Sequence, residues 1–241
     1  MSEPLPWHVS EAEWYATTLA HWQSSQAVTS EGNDGVLGGW AEVDEEDVRG
    51  SLSFLAGCLT DGREITKPLT GFRALDCGAG VGRVTAGVLL RAVENVHLVE
   101  VSEHLLGQAR TQLAAHGARV EYEQASLREF APTADSYNLV WAQWVLGHLT
   151  DTDVVGLLSR CRAALRPDGI VVVKDNTAAP SDCDQGGGRY LLDIENAAVI
   201  RTHAHFRSIF KLAGLRLVRS EVQQNFPEDL HPVRMYFLSP N

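Results

Sequence analysis

A glycine-rich stretch that follows a short apolar run contains the residues best suited to binding a small molecule. Asp76 ends the apolar run, and Gly78, Gly80 and Gly82 follow it at every second position. Glycine lets the backbone turn sharply and approach a ligand closely. The helix predicted to begin after the turn offers free N–H groups and the positive end of its dipole. The pattern therefore predicts a strand, a glycine turn and a helix start that together bind a ligand.

An acid at the end of the next apolar run complements this turn. Glu100 lies 18 residues after Gly82. Strands connected by a crossover helix end side by side, so Glu100 is placed to accept hydrogen bonds from both hydroxyls of a ribose. The sequence thus favours a nucleoside-containing ligand.

The glycine spacing distinguishes between cofactors that contain a nucleoside. It is G-x-G-x-G, not the G-x-G-x-x-G of dinucleotide enzymes, because Arg83 occupies the position of the last glycine. A pyrophosphate needs that glycine for close helix packing, whereas the carboxylate of S-adenosylmethionine can pair with Arg83. We predict S-adenosylmethionine as the cofactor. A nicotinamide or flavin cofactor and a purely structural turn are the alternatives.

Apolar runs alternate with amphipathic segments from residue 71 onward, which is typical of repeated βα units. Strands are predicted over 72–76, 96–100, 120–123, 137–141, 170–173, 215–222 and 233–238. Helices are predicted over 83–91, 102–117, 150–165 and 189–212, with a turn at 166–169. We predict an α/β fold with a seven-stranded, mostly parallel, doubly wound sheet whose last two strands form an edge hairpin. Residues 1–241 are expected to form one domain, a helical lid over 1–60 and an α/β core over 70–241.

The composition excludes several classes of function. There are 20 Lys and Arg against 31 Asp and Glu, a net charge of −11, which disfavours nucleic acid and favours a cationic partner. No apolar run is long enough to span a membrane, and the N-terminus does not resemble a signal peptide. The four cysteines are far apart and include no C-x-x-C, so we expect no metal site and reduced thiols in the cytoplasm or nucleus.

Four motifs together resemble one known family. They are GVLGGW at 35–40, DCGAGVGRVT at 76–85, WAQWVLGHLTD at 141–151 and LRPDGIVVVKDN at 165–176. The sequence resembles the protein α-N-terminal methyltransferases, which methylate the free α-amine of proteins that begin X-Pro-Lys after removal of Met. The resemblance extends from residue 22 to residue 238. It implies a Rossmann-like class I methyltransferase fold with an N-terminal helical lid, peptide or protein substrates, and a monomer or homodimer.

The resemblance also implies roles for individual residues. The cofactor is expected to contact Gly78, Arg83, Glu100, Leu127, Gln143 and Trp22, to which we add Ser102, the predicted N-cap of the next helix. Substrate binding is expected at Trp144, Asn196, Asp229 and His231. Catalysis is expected at Asp193, His148 and Asn176. The sequence departs from the family pattern by having His21 in place of a tyrosine, Asn196 in place of an aspartate, and Asp229 and His231 in place of a glutamate and a tyrosine.

The expected catalytic residues suit an amine that is easily deprotonated. An α-amine has a pKa of roughly 7.7–8.0, against about 10.4 for a lysine side chain, so a modest base is sufficient. Asp193 and Asn196 are three residues apart in the predicted helix 189–212 and would share a face. Asp193 can attract the ammonium and accept its proton, and the Asn176 carbonyl can orient the nitrogen. His148 is the second candidate base.

Each of these assignments has a structural alternative. His148 could serve only as a hydrogen-bonding residue, and Asp193 could be a helix-start acid favoured by the dipole. The acids at 44–47 are interpreted as a solvated helix start, Trp141 as a core residue and Trp144 as a cleft residue. A small-molecule N- or O-methyltransferase, or a non-catalytic cofactor-binding module, would have the same fold.

Overall fold

A mixed β-sheet forms the centre of the structure. The computed structural model describes residues 10–23, 35–183, 188–193 and 198–241. The strands are β1 (Leu69–Cys77), β2 (Val93–Glu100), β3 (Val120–Gln124), β4 (Tyr137–Gln143), β5 (Leu165–Asn176), β6 (Tyr190–Asp193), β7 (Ala198–Arg201), β8 (Leu215–Val222) and β9 (Val233–Pro240). Seven of them form one sheet in the order β3-β2-β1-β4-β5-β9-β8, and β6 pairs with β7 alone.

The sheet has the predicted topology. β1 to β5 are mutually parallel, β9 is antiparallel to β5, and β8 is antiparallel to β9 at the edge. The main difference is the start of β5, which includes the predicted turn 166–169. Leu165 pairs with Tyr137, the register then breaks, and Asp168 has a φ of +62° before regular pairing resumes at Ile170. The turn chemistry therefore produces a kink within the strand.

Six α-helices accompany the strands in the described part of the chain. They are α1 (Glu11–Gln23), α2 (Asp44–Leu59), α3 (Leu90–Ala92), α4 (Glu103–Gln112), α5 (Asp151–Ala163) and α6 (His203–Leu212). A π-helical stretch, Thr85–Leu89, leads into α3. Short 3₁₀ turns occupy Gly35–Leu37, Ala41–Val43, Ala114–Arg119, Leu146–His148 and Pro180–Asp182. No described helix is long and apolar enough to cross a membrane.

Two predicted helix starts are confirmed by their hydrogen bonds. The Ser102 hydroxyl accepts from the Leu105 N–H at 3.4 Å, and the Thr150 hydroxyl accepts from the Asp153 N–H at 3.2 Å. Each side chain thereby satisfies a backbone donor that has no partner inside its helix.

The predicted long helix over 189–212 is wrong. Its first half is the β6–β7 hairpin, and only His203–Leu212 is helical. The helix starts after Thr202, whose hydroxyl accepts from the His205 N–H at 3.2 Å. Phe206, Ile209 and Phe210 then form a buried apolar face at helical spacing. Before Thr202 the apolar residues are contiguous, so periodicity alone does not separate helix from strand.

The predicted helical face shared by Asp193 and Asn196 does not exist. Asp193 is the last residue of β6, so it cannot share a helical face with Asn196. Asn196 itself lies outside the described residues.

Alternate residues of β5 pack into different cores on the two faces of the sheet. Val171 and Val173 join a cluster that includes Leu157 of α5 and Phe206 of α6. Val172 joins a second cluster, which includes residues of α2 and α4. Both faces are covered, as parallel sheets require, and the carboxyl ends of the strands are held at one edge.

The cap of α5 provides a test of the local structure. We expect Thr150→Ala to lower the free energy of unfolding by about 1 kcal/mol, because the Asp153 N–H loses its acceptor. The control is Thr152→Ala, an exposed threonine in the same helical turn, which should change stability by less than about 0.5 kcal/mol. Chemical denaturation measures both, and equal effects would contradict the assigned cap.

Candidate active site

A cavity of about 280 Å³ opens at the carboxyl ends of β1, β2 and β4. Its walls come from the glycine turn after β1, the end of β2, residues 126–128, the segment that follows β4, and α1. Open α/β sheets bind ligands at this edge. Of the seven residues predicted to contact the cofactor, six line the cavity: Trp22, Gly78, Arg83, Glu100, Leu127 and Gln143.

The glycine turn has a shape that other residues would not tolerate. Gly78 has a φ of +70°, and a Cβ there would lie 2.4 Å from Cγ2 of Val145. Gly82 has a φ of +82°, and its Cβ would lie 2.7 Å from Leu113. The N–H of Gly78 donates to the Val99 carbonyl at 2.9 Å, which joins the turn to β2. The turn is therefore a close-packed cradle for a ligand.

Asp76 stabilises the glycine turn. It is buried, and its carboxylate accepts from the Thr85 hydroxyl at 2.6 Å. Burial raises the pKa of Asp76 to about 6. The contact ties the end of β1 to the helical segment that follows the glycines, so Asp76 has a structural role.

Glu100 is fixed at the cavity wall by backbone donors. One of its carboxylate oxygens accepts from the Gly80 N–H and the other from the Ser102 N–H, each at 2.9 Å. Burial raises the pKa of the Glu100 carboxyl, while these N–H groups oppose the rise. Carboxylate oxygens have more than one acceptor site, so Glu100 can also accept from the hydroxyls of a ribose.

The side chain of Ser102 does not face the cavity. It is fully buried and its hydroxyl caps α4. Ser102, which is predicted to bind the cofactor, is not among the residues that line the cavity, and its backbone N–H holds Glu100 in place.

A buried ion cluster lies next to the cavity wall. The sequence predicts Asp47 in a solvated helix start, but the residue is fully buried. It pairs with Arg83 at 2.8 Å and with Lys174 at 2.6 Å. Although burial alone would raise the pKa of Asp47, the charges of Lys174 and Arg83 lower it. The sequence does contain one indication of this cluster. Lys174 lies within an apolar strand, and a buried lysine needs a buried anion as its partner.

Gln143 is bound into the same cluster. Its Nε2 donates to Asp47 at 2.9 Å, and its Oε1 accepts from the indole N–H of Trp141 at 3.0 Å. Trp141 is fully buried, as predicted. Both ends of the Gln143 amide are thus held in a fixed orientation at the cavity wall.

Trp144 is half-buried in the cleft, also as predicted. Its φ is +52°, an uncommon conformation for a bulky residue. The backbone N–H donates to the Lys174 carbonyl at 3.0 Å, and the indole N–H donates to the Asn176 side-chain oxygen at 3.2 Å. The guanidinium of Arg83 lies 5.4 Å from the centre of the indole ring. Trp144 therefore joins the cofactor side of the cavity to Asn176.

His148 lies where α1 packs over the cavity. Its ring centre is 5.3 Å from that of Trp22, edge to face, and its carbonyl accepts from the Trp14 indole N–H at 3.0 Å. Sequence reasoning identified Trp22 but missed Tyr15 and Thr18, which also line the cavity. These three residues are at helical spacing on one face of α1, and that spacing could have revealed them.

Arg201 stabilises the segment that contains His148. This fully buried side chain donates to the carbonyls of Leu146 at 2.8 Å and Leu149 at 2.7 Å, and to Asp151 at 2.8 Å. Although burial would raise the pKa of Asp151, its contacts with His205 and Arg201 lower it to about 2. The position of His148 is thus set by charged groups outside the cavity.

Asp193 lies one strand away from the segment that contains His148. It pairs with Ala198 of β7. A Cβ added to Gly147, the residue before His148, would lie 3.9 Å from the Ala198 side chain and 3.3 Å from the Val199 carbonyl. Asp193 itself is half-buried and is not among the residues that line the cavity.

Four of the predicted substrate and catalytic residues are not among those that line the cavity: Asn176, Asp193, Asp229 and His231. Asp229 and His231 are exposed in the connection between β8 and β9. His231 is two residues before Val233, which pairs with Asn176 across β5 and β9. Within the described ranges, no group of three or more His, Cys, Asp or Glu side chains is arranged to hold a metal ion.

Comparisons with known proteins agree with this geometry. A family model described as AdoMet dependent proline di-methyltransferase matches residues 10–239. The chain belongs to this family. The human N-terminal Xaa-Pro-Lys N-methyltransferase 1 is 37% identical over 229 residues, which cover 95% of this chain and 96% of that protein. The Danio rerio protein of the same name is 42% identical over 205 residues, 83% and 85% of the two chains.

A solved structure supports the same conclusion. A SAM-dependent methyltransferase from Leishmania major has a TM-score of 0.80 and 32% sequence identity, and the match covers 94% of this chain and 83% of that one. The protein is therefore an S-adenosylmethionine-dependent methyltransferase with the Rossmann-like fold, and the dinucleotide and non-catalytic alternatives fall away.

The residues of this methyltransferase fit the cofactor. Glu100 offers carboxylate oxygens to a ribose, and the positive φ angles of Gly78 and Gly80 bring bare backbone to the cavity wall. Arg83 offers a guanidinium to a carboxylate. Leu127 supplies an apolar surface to the cavity. In S-adenosylmethionine, Glu100 therefore suits the ribose and the glycine backbone suits the amino-acid chain. Arg83 suits the carboxylate, and Leu127 suits the base.

Two substitutions separate the roles of Glu100 and Ser102. We expect Glu100→Ala to weaken cofactor binding by about 1–3 kcal/mol, because charge-assisted hydrogen bonds to the ribose are lost. Ser102→Ala should lower the free energy of unfolding by about 1 kcal/mol and leave the affinity nearly unchanged, because the backbone N–H that holds Glu100 remains. Calorimetric titration with S-adenosylhomocysteine measures both variants. A loss of affinity in Ser102→Ala equal to that in Glu100→Ala would restore the predicted contact of the serine.

Proposed function

We propose that this methyltransferase transfers methyl groups from S-adenosylmethionine to the free α-amine of proteins that begin Xaa-Pro-Lys. The observation that supports the proposal is the pair of cleft residues Trp144 and His148, which line the cofactor cavity, with Asn176 hydrogen-bonded to Trp144. Asp193 ends the strand that pairs with β7, and β7 packs against the residue before His148. The names of the human and Danio rerio relatives supply the peptide sequence.

The chain's own task in this reaction is to position an unprotonated amine. S-adenosylmethionine supplies a methyl group attached to a positively charged sulfur, which an amine lone pair can attack. Holding the two reactants in line accounts for much of the acceleration in such a displacement. Roughly a tenth of an α-amine with a pKa near 8 is already neutral at pH 7. A weak base and good hydrogen-bond acceptors are therefore sufficient.

Asp193 and His148 are the groups that we propose accept the proton. Asp193 attracts the ammonium form of the substrate and accepts its proton, and the His148 imidazole is the alternative acceptor. Asn176 orients the nitrogen through its side-chain oxygen, which has a lone pair beyond the one that accepts from Trp144. The Trp144 indole supplies a flat wall for the first residues of the peptide.

We also propose that α1, the first described part of residues 1–60, acts as a lid within a single domain, whereas α2 in the same range packs into the core. This is supported by the contacts of α1 with the cavity: Trp14 bonds to the His148 carbonyl, and the Tyr15 hydroxyl bonds to Asp153 at the start of α5. Arg128 stacks on the Tyr15 ring at 3.9 Å. Through these contacts α1 forms one wall of the cavity, which is lined by its residues Tyr15, Thr18, Leu19 and Trp22.

A pair of peptides tests the proposed acceptor. A peptide beginning Ser-Pro-Lys should gain methyl groups, whereas the same peptide with an acetylated N-terminus should gain none, because acetylation delocalises the lone pair and removes the positive charge. Mass spectrometry of both products after incubation with S-adenosylmethionine gives the answer. Equal methylation of the two peptides would mean that the acceptor is a side chain and would refute the proposal.

The role of Asp193 is tested by a conservative substitution. We expect Asp193→Asn to lower kcat/KM for the peptide by about 10²–10³, because the general base and a charge-assisted contact are both lost. The deficit should shrink as the pH rises above 8, since the amine then deprotonates in solution. Affinity for S-adenosylhomocysteine should not change.

The control for Asp193 is Asp182→Asn, which removes an exposed aspartate near the same hairpin and should retain wild-type kinetics. If Asp193→Asn also keeps its kcat/KM at pH 7, the proton is accepted by another group, and His148 becomes the base.

A further inference from the structure

We propose that Asp47 is a positioning residue for the amino-acid end of S-adenosylmethionine and acts through Arg83 and Gln143. The inference rests on the proposed contact between Arg83 and the cofactor carboxylate. It assigns a cofactor-binding function to a residue of α2 that does not itself line the cavity.

Both oxygens of the Asp47 carboxylate are fully engaged. Oδ1 forms an ion pair with Lys174 Nζ at 2.6 Å and accepts a hydrogen bond from Gln143 Nε2 at 3.0 Å. Oδ2 accepts from Arg83 Nη1 at 2.8 Å and from Gln143 Nε2 at 2.9 Å. Two of these three partners, Arg83 and Gln143, form part of the cavity wall. The carboxylate thus fixes two adjacent wall residues at once.

The carboxylate is itself held on the sheet side, independently of the cavity. Lys174 Nζ also donates to the Asp47 backbone carbonyl at 3.2 Å, to the Ser51 hydroxyl at 2.9 Å and to Gln223 Oε1 at 2.8 Å. Lys174 and Asp47 are fully buried. Lys174 of β5 therefore anchors α2, and α2 presents Asp47 to the wall residues.

One side of the Arg83 guanidinium, formed by Nε and Nη2, is available to bind a ligand. Among the described residues, the guanidinium donates only through Nη1, to Asp44 at 2.7 Å and to Asp47. A guanidinium has five N–H donors in a planar fork, so the Nε and Nη2 side can bind a carboxylate in two-pronged fashion. Asp47 holds the guanidinium through Nη1, so Nε and Nη2 remain to bind a ligand in the cavity that Arg83 lines.

Two cations share the Asp47 carboxylate. Arg83 and Lys174 both pair with it, although burial lowers the pKa of Lys174. Arg83 also pairs with Asp44, whose side chain is 31% exposed, and the buried carboxyl of Asp76 interacts with Arg83 electrostatically. A cofactor carboxylate would bind through the remaining donors of the Arg83 fork, by a charge-assisted contact.

Two ligands that differ only in the amino-acid end test the proposal. S-adenosylhomocysteine has the carboxylate, and 5′-methylthioadenosine has the same nucleoside and sulfur without it. For Asp47→Asn we expect the Kd of S-adenosylhomocysteine to rise 10- to 100-fold and the Kd of 5′-methylthioadenosine to change less than twofold. Isothermal titration calorimetry measures both. The matched control, Glu45→Gln, removes an exposed acid from the same helical turn and should change neither Kd.

A double-mutant cycle tests the route through Arg83. Arg83→Met should itself weaken S-adenosylhomocysteine binding, and adding Asp47→Asn to it should cause little further loss. If Asp47→Asn does not fold, Asp47→Asn with Lys174→Met removes both buried charges together, and this variant should show the same selective loss of S-adenosylhomocysteine.

The possible failures can be told apart. Equal weakening of both ligands in Asp47→Asn, or no weakening of either, would overturn the positioning role. An Arg83→Met variant with wild-type affinity would refute the contact with the carboxylate on which the inference rests. A wild-type protein that binds neither ligand would refute the cofactor site itself.

Discussion

The buried carboxylate of Asp47, shared by two cations, is the interaction on which the architecture of the site depends. Charges are costly to bury unless each is paired and hydrogen-bonded. Asp47 on α2 meets this requirement only when Lys174 of β5, Arg83 after the glycine turn and Gln143 of β4 all reach it. Removing one partner of a buried pair typically costs about 3–5 kcal/mol. The cluster therefore specifies how α2, the central strands and the cavity wall fit together.

A second constraint acts on the opposite side of the cavity. Arg201 of β7 donates to the carbonyls of Leu146 and Leu149, which flank His148 in the chain. The indole of Trp14 donates to the His148 carbonyl itself. The β6–β7 hairpin and α1 thus fix the same short segment from two directions. The cofactor half and the proposed substrate half of the site are each positioned by polar groups buried outside the cavity.

Much of this organisation could be predicted from the sequence, for physical reasons. The strands read as short apolar runs because parallel strands are buried on both faces, and the turn after β1 required glycine because Gly78 and Gly82 have positive φ angles. The helix predicted over 189–212 was too long because the apolar residues of 190–201 form short runs, 190–192 and 197–200, without a clear helical period. Asp47 was misread because an acid in the first turn of a helix is usually solvated. Only its partner Lys174, 127 positions away, shows otherwise.

The chemistry of the site depends on which amine has to be deprotonated. A lysine side chain has a pKa about 2.5 units above that of an α-amine, so preparing it costs about 3 kcal/mol more. A single carboxylate and an imidazole suit the less demanding amine. The most direct test uses a Ser-Pro-Lys peptide and a cofactor with an isotopically labelled methyl group, followed by tandem mass spectrometry to locate the label. We predict that all of the label is on the α-nitrogen of the first residue, and label on the lysine ε-nitrogen would contradict this account.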